Sequence, residues 1–153
     1  MSRFRFRLQP VLEVRERVVD ECQRDLALKA RDLLEAETVL ANLARDREAR
    51  RDALTRDHRS FGVEELRAAY AHLAYLDRSI DEQTVRVAAC GDEVTRAQAK
   101  LMAANTDRKV LETLRTRRHE AFRADAALVE QREVDDQNAR RYGRAQNEKE
   151  ERA

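Results

Sequence analysis

Apolar residues recur every seven positions along two stretches of the chain, which are separated by a short break near Phe61 and Gly62. A strict seven-residue repeat keeps one seam of a helix facing a partner helix. The pattern therefore predicts two long helices that pack along this seam, with one arginine as the interruption. The first stripe is Leu12, Val19, Leu26, Leu33, Leu40, Arg47 and Leu54, and the second is Leu66, Leu73, Ile80, Val87, Val94 and Leu101.

Proline and glycine positions predict where these helices begin and end. Pro10 is the chain's one proline and lies just before the first repeat, where the first helical turn accepts it. Helix 1 is expected over about 10–58, a turn over about 59–63, and helix 2 over about 64–141, with a frayed tail at 142–153. The predicted fold class is all-α, a single long two-helix antiparallel coiled coil (a helical hairpin) in which the second helix is longer.

Residue numbers alone support the antiparallel pairing. Each a position of one helix shares a layer with a d position of the other, so the numbers of the two partners have a constant sum. A sum of 123 fits throughout and places Leu26 opposite Ala97. Large residues oppose small ones in most of the apolar layers, which fills a seam without voids. The same register predicts layers with one polar or amphipathic member at Arg47/Leu76, Leu40/Gln83 and Lys29/Val94.

Two places could interrupt helix 2. Gly91 costs about 1 kcal/mol relative to alanine in a helix, but the seven-residue phase passes through it, so no break is expected there. After 105–107 the stripe shifts to Leu114, Ala121 and Leu128. A stutter in a continuous helix is the preferred interpretation of this shift, and a break that starts a third helix is the alternative.

Composition favours long exposed helices over a thick core, because 40% of residues are charged and only 5% are aromatic. The charges nearly balance, with 31 basic and 30 acidic residues, so net charge indicates neither nucleic acid nor an anionic membrane as a partner. No secretory signal or membrane span is predicted. Cys22 and Cys90 are consistent with a reducing compartment, and a soluble, cytoplasmic protein is expected.

Residues that carry enzyme chemistry are scattered. His58, His72 and His119 have no second ligand at helical spacing, so no metal site is predicted. The chain also lacks a glycine-rich phosphate loop and a nucleophile motif. The sequence therefore predicts neither a catalytic site nor a cofactor, and function is expected on the surfaces and ends of the helices.

Basic residues concentrate where helix 1 begins. Residues 1–17 carry a net charge of +3 and residues 108–123 a net charge of +4. The register places the two segments side by side, and we call the predicted surface the basic collar. A solvated helix end and a docking surface both remain open as interpretations. The collar includes Arg15, Arg108, Lys109, Arg115, Arg117 and Arg118.

Aromatic residues form two groups. Phe4 and Phe6 precede the proline, and they either cap the hairpin by packing on Leu111, Leu114 or Phe122 or stay exposed as anchors for a partner. The second group lies near the turn and consists of Phe61, Tyr70 and Tyr75. Off-seam aromatic residues often mark contacts with partners, although local packing over the turn explains this group about as well.

Three segments carry a resemblance to a known family. The opening FRFRLQPVLE at 4–13, followed by Arg15-Glu16-Arg17, resembles the start of the FliJ family of flagellar export proteins. RKVLETL at 108–114 is similar to the basic motif in the second helix of that family, and EVDDQNARRY at 133–142 is similar to its closing segment.

The resemblance implies a coiled coil similar to the stalk helices of the rotary ATPase γ subunit. The implied partners are the hexameric flagellar export ATPase, the export gate protein and unloaded export chaperones, met at the inner-membrane export apparatus. In the family the end with both termini enters the ATPase ring. This implies ATPase contacts for Phe4, Phe6 and the collar residues Arg15, Arg108, Lys109, Arg115, Arg117 and Arg118, and leaves Phe61, Tyr70 and Tyr75 for the gate or chaperones.

Two other functions remain as alternatives. A scaffold coiled coil that dimerises in parallel would place Cys22 beside its own copy, whereas the hairpin predicts a monomer when isolated. A nucleic-acid binder would use the basic collar and show strongly salt-dependent affinity. The balanced overall charge makes nucleic acid the less favoured partner.

Overall fold

The computed structural model describes residues 3–57 and 59–150. Two helices account for most of them: α1 is Gln9–Asp57, with 49 residues, and α2 is Val63–Glu150, with 88 residues. The described residues contain no strand. The predicted all-α fold of two long helices, the second longer than the first, is confirmed.

The turn between the helices satisfies its own backbone groups. Ser60 N and Ser60 Oγ both donate to Asp57 O, at 2.8 and 2.7 Å. Gly62 N donates to Glu65 Oε2 at 2.9 Å, and Leu66 N donates to Gly62 O at 3.0 Å. A glutamate three residues after the cap that binds back to the cap N–H is half of a capping box, and it fixes the start of α2. His58, expected to end helix 1, lies outside the described residues.

Helix α2 is continuous where the sequence left a break open. Residues 105–107 are helical, and Thr106 Oγ1 donates to Met102 O at 3.0 Å, inside the helix. Gly91 is helical too, as expected. The helix ends later than the predicted 141, because α2 continues through Glu150 and so includes most of the segment expected to fray. Residues 151–153 of that segment lie outside the described part of the chain.

Contacts divide the chain into two units, which we describe separately. Arg15–Thr106 forms the hairpin unit, in which most of α1 packs against the first half of α2. Met1–Val14 and Asp107–Ala153 form the terminal unit, which contains the start of α1 and the later part of α2.

The hairpin unit buries the predicted seam. All of its buried residues occupy heptad positions, and the flanking positions are exposed or half-buried. The same register places Arg50 opposite Leu73 as a further polar layer, and Arg50 is exposed. Burial of one stripe per helix is what a two-helix coiled coil requires. The buried residues of this unit are Val19, Ala36, Leu54, Ala69, Leu76, Ala97 and Ala104.

Three polar contacts between the helices show that they are antiparallel. From one contact to the next, the residue number on α1 rises while the residue number on α2 falls. Each contact also lies beside a layer that was predicted to contain a polar residue. The polar layers of the seam are therefore satisfied by partners on the opposite helix. These contacts join Lys29 Nζ to Glu93 Oε2 at 2.8 Å, Gln83 Nε2 to Ala36 O at 2.8 Å, and Arg47 to Asp77.

The Lys29–Glu93 pair is partly exposed, so its contribution to stability is small. The hydrogen bond from Lys29 lowers the pKa of the Glu93 carboxyl below its ordinary value and raises the pKa of the Lys29 ammonium. The stabilisation is present above the ordinary pKa of glutamate and is lost as pH falls through the lowered pKa of Glu93. It is lost again as pH rises through the raised pKa of Lys29.

The packing of α1 against α2 within one chain competes with the parallel dimer that the scaffold alternative requires. Cys22 and Cys90 are half-buried free thiols on the predicted seam. A parallel dimer through the α1 stripe would need the apolar positions that α1 and α2 already use within one chain. The hairpin unit thus favours the monomer prediction over the scaffold dimer.

Candidate functional site

The terminal unit begins with a non-helical segment, residues 3–8, which we call the N-terminal strap. Its even-numbered residues pack inward: Phe6 is 6% exposed, and Phe4 and Leu8 are half-buried. Gln9 N donates to Phe6 O at 3.1 Å, which ties the strap to the start of α1. In the same unit Leu12 is 1% exposed. Apolar burial therefore holds the strap in place.

Phe4 packs on the later part of α2. Its ring lies edge-on to His119 with centroids 5.0 Å apart, and its centroid is 5.7 Å from that of Phe122. The structure therefore favours capping over free exposure for Phe4 and Phe6, the two alternatives left open by the sequence. Phe122 was an expected packing partner, whereas sequence reasoning missed His119, which it treated as a solvated residue. The one sequence feature that could have indicated this contact is spacing. His119 lies three residues before Phe122, so the two side chains share one face of the helix.

Four cations lie within ten residues of α2, and we call them together the basic surface: Lys109, Arg115, Arg117 and Arg118. At 3.6 residues per turn they project from several sides of the helix and not from one face. All four are exposed. None of them forms an ion pair with another described residue. The strap together with residues 108–123 carries nine basic residues and two glutamates, in a chain whose total charge is close to zero. Positive charge is therefore concentrated in this part of the terminal unit, in the strap and residues 108–123.

The remaining two predicted collar residues behave differently. Arg108 is half-buried, and its Nε lies 3.5 Å from Glu112 Oε1. This Nε atom is buried and makes no hydrogen bond, so the contact is an ion pair of poor geometry. Arg15 is exposed on α1 and belongs to the hairpin unit. Arg108 thus forms an ion pair with Glu112, whereas the four cations of the basic surface form none with another described residue.

The turn end of the hairpin unit carries the second aromatic group. Tyr70 is 59% exposed and Tyr75 is 57% exposed, whereas Phe61 is half-buried. Tyr75 stacks on His72 with ring centroids 6.2 Å apart. A shallow groove beside Tyr70 is lined by Arg47, Arg51, Leu54, Thr55, Leu73 and Asp77. Exposed tyrosines beside an open groove are suited to contact with a protein.

Every described residue of α2 at 123–144 is exposed. Leu128, Val134 and Tyr142 are among them, at 54%, 54% and 78% exposure. The stripe that follows the shift after 105–107 ends at Leu128, within this segment. The apolar residues of 123–144 are therefore not buried against any other part of the described chain.

Chemistry other than binding finds little support in the described residues. They contain no group of three or more His, Cys, Asp and Glu side chains placed to hold a metal ion. Neither described helix carries an apolar stretch long enough to cross a membrane. The groups that the surface does offer are cations without acidic partners and partly exposed aromatic rings.

These features define a class: an all-α protein built on an antiparallel helical hairpin, in which the second helix is the longer. The sequence model of the family described as "Flagellar FliJ protein" matches residues 4–147. The chain belongs to the FliJ family, and this membership implies a role in flagellar type III protein export. Comparison with curated proteins and with solved structures gave no match.

Proposed function

We propose that this protein is a non-catalytic stalk that binds the hexameric flagellar export ATPase through its terminal unit. Family membership supplies the export context. The observation that carries the ATPase contact is the basic surface, where Lys109, Arg115, Arg117 and Arg118 are exposed and pair with no acidic side chain among the described residues. A clustered positive charge of this kind accelerates encounter with an acidic partner and fixes its register.

The ATPase contact is expected to use some predicted residues directly and others indirectly. The four cations of the basic surface are available to a partner. Phe6 is buried, so its proposed contribution is to hold the strap in position, and Phe4 does the same with its partly exposed ring. Arg108 is already beside Glu112, and Arg15 remains a further exposed candidate on α1.

A mechanism follows from placing one chain inside a sixfold ring. A single helix presents a different face to each subunit, so subunits in different states meet different side chains. A ligand shifts a conformational equilibrium only by the difference in its affinity for the two states. Asymmetric contact with α2 provides such a difference, and this is how the stalk would couple neighbouring ATPase subunits.

We assign the turn end to the other export partners. Tyr70 and Tyr75, with Phe61 beside the turn, are proposed to contact the export gate protein or the unloaded chaperones. Their exposure and the groove lined by Leu54 and Leu73 support this assignment. Through these partners the protein would reside at the cytoplasmic side of the inner-membrane export apparatus.

The proposed function is tested by sedimentation of the full chain with the purified export ATPase from the same organism. The ATPase is assembled into rings with a non-hydrolysable nucleotide. We expect the chain to sediment with the rings at one chain per ring, and to remain monomeric alone. The absence of co-sedimentation, or equal binding to unrelated ring ATPases, would overturn the proposal.

A further inference from the structure

The N-terminal strap carries a row of arginines that the helical part of the terminal unit does not use. Arg3, Arg5 and Arg7 are exposed, and they alternate with the inward residues Phe4 and Phe6. Over residues 3–6, which precede the turn at 7–8, alternation with a period of two is the signature of an extended backbone. The strap therefore presents every second side chain outward, and each of these is a cation.

The main chain of the strap is also open to a partner. Among the described residues, no backbone hydrogen bond involves Arg3, Phe4 or Arg5. An extended segment with unpaired N–H and C=O groups is a template for strand addition. Phe4, packed on His119 and Phe122, keeps the segment from sampling many conformations, which lowers the entropy cost of adding a strand.

Charge selects the kind of strand that fits. Outward side chains two residues apart lie about 6.5 Å from one another along an extended chain. The three arginines form no ion pair with another described residue. Arg115 borders two grooves on the strap: one shared with Arg5, and one shared with Arg3 that Glu112 also lines. Carboxylates at alternate positions of an incoming strand would meet these guanidinium groups, whereas a basic or neutral strand would leave them unpaired.

We propose that the N-terminal strap is the docking strip for an extended, acidic segment of the export ATPase, which adds as a strand beside residues 3–6, ahead of the turn at 7–8. This inference rests on the proposed function and specifies its contact. The basic surface of α2 would attract the ring, and the strap would hold one defined segment of it. Specificity would come from carboxylates spaced at every second residue.

Two measurements on the full chain test the strap. In hydrogen exchange with and without ATPase rings, the amides of residues 3–6 are expected to slow at least about tenfold on binding, while the turn at 59–62 stays unchanged. The triple variant R3E/R5E/R7E is expected to bind the rings at least about tenfold more weakly. The matched control R78E/R86E/R96E reverses three exposed arginines of the hairpin unit and is expected to bind as the wild-type chain does.

The outcomes separate this inference from the proposed function. Wild-type binding without protection of residues 3–6, or equal binding by R3E/R5E/R7E, would overturn the strap and leave the stalk proposal standing. Failure of the wild-type chain to bind the rings would overturn both. Vesicles rich in phosphatidylglycerol provide a third arm: capture of the wild-type chain but not of R3E/R5E/R7E, with unchanged ATPase binding, would assign the arginines to a lipid surface and overturn the inference.

Discussion

Replacing Lys109, Arg115, Arg117 and Arg118 with glutamate is expected to weaken binding to the export ATPase about a hundredfold. Each exposed charge pair contributes up to about 1 kcal/mol, and reversal adds repulsion to the loss of attraction. Four such changes within ten residues of α2 therefore remove about 3 kcal/mol of binding free energy. The measurement is a titration of ATPase rings with labelled chain at low and at moderate salt. Wild-type affinity is expected to fall as salt rises, because exposed charges are screened.

The chain offers a matched control for this variant. Arg78, Arg86, Arg96 and Lys100 are exposed on α2 within the hairpin unit, and reversing them changes the net charge by the same amount. This control is expected to bind within about twofold of the wild-type chain, because its charges lie away from the proposed contact. Equal loss of affinity in both variants would attribute binding to net charge and remove the basic surface from the mechanism.

Replacing Leu76 with alanine is expected to destabilise the hairpin unit by about 2–4 kcal/mol, which is the usual cost of removing a buried leucine. Leu76 is a buried residue of the seam, with 4% exposure, and its chain neighbour Asp77 forms an ion pair with Arg47. A two-helix seam has a single layer of apolar contacts on each helix, so neighbouring residues have little freedom to fill the space. Denaturant unfolding followed by far-ultraviolet circular dichroism measures the change.

Leu34 is the matched control for the seam because it is a leucine on α1 that is 63% exposed. Its replacement by alanine is expected to change the free energy of unfolding by less than about 0.5 kcal/mol. Similar losses for the two variants would show that the heptad stripe does not form the core, and the register would then have to be abandoned.

The seam could be predicted because its information lies in the sequence itself. A period of seven in a highly charged chain has few structural solutions, and the constant sum of partner numbers selects the antiparallel one. Lys29 pairs with Glu93 beside the predicted Lys29/Val94 layer, and Arg47 pairs with Asp77 beside the predicted Arg47/Leu76 layer. A one-residue offset is natural, because long polar side chains leave the seam and bind at its edge.

The strap could not be placed by the same reasoning. Residues 3–8 precede the proline and follow a period of two, and no heptad rule states which face of a helix such a segment meets. The contact between Phe4 and His119 depends on the geometry of the chain reversal before α1. His119 gave no signal of its own, because an isolated histidine among charged residues is usually solvated.

The end of α2 was also mispredicted, for a simple energetic reason. The helix was expected to end at about 141, with a frayed tail at 142–153, yet α2 continues past Gly143 and through Glu150. A single glycine costs about 1 kcal/mol in a helix, and no proline follows residue 10 to stop the helix. The partners of the exposed segment 123–144 could not be predicted from the sequence, because binding depends on the surfaces of other proteins as much as on this chain.

Site-specific photo-crosslinking tests the central claim, that the terminal unit contacts the export ATPase, most directly. Val110 and Val85 are both exposed valines of α2, at 63% and 71%, so a photoreactive residue at either leaves every charge in place. Val110 lies beside Lys109 in the terminal unit, and Val85 lies in the hairpin unit. We expect an adduct with the ATPase from position 110 and none from position 85. An adduct from 85 with none from 110 would contradict the account.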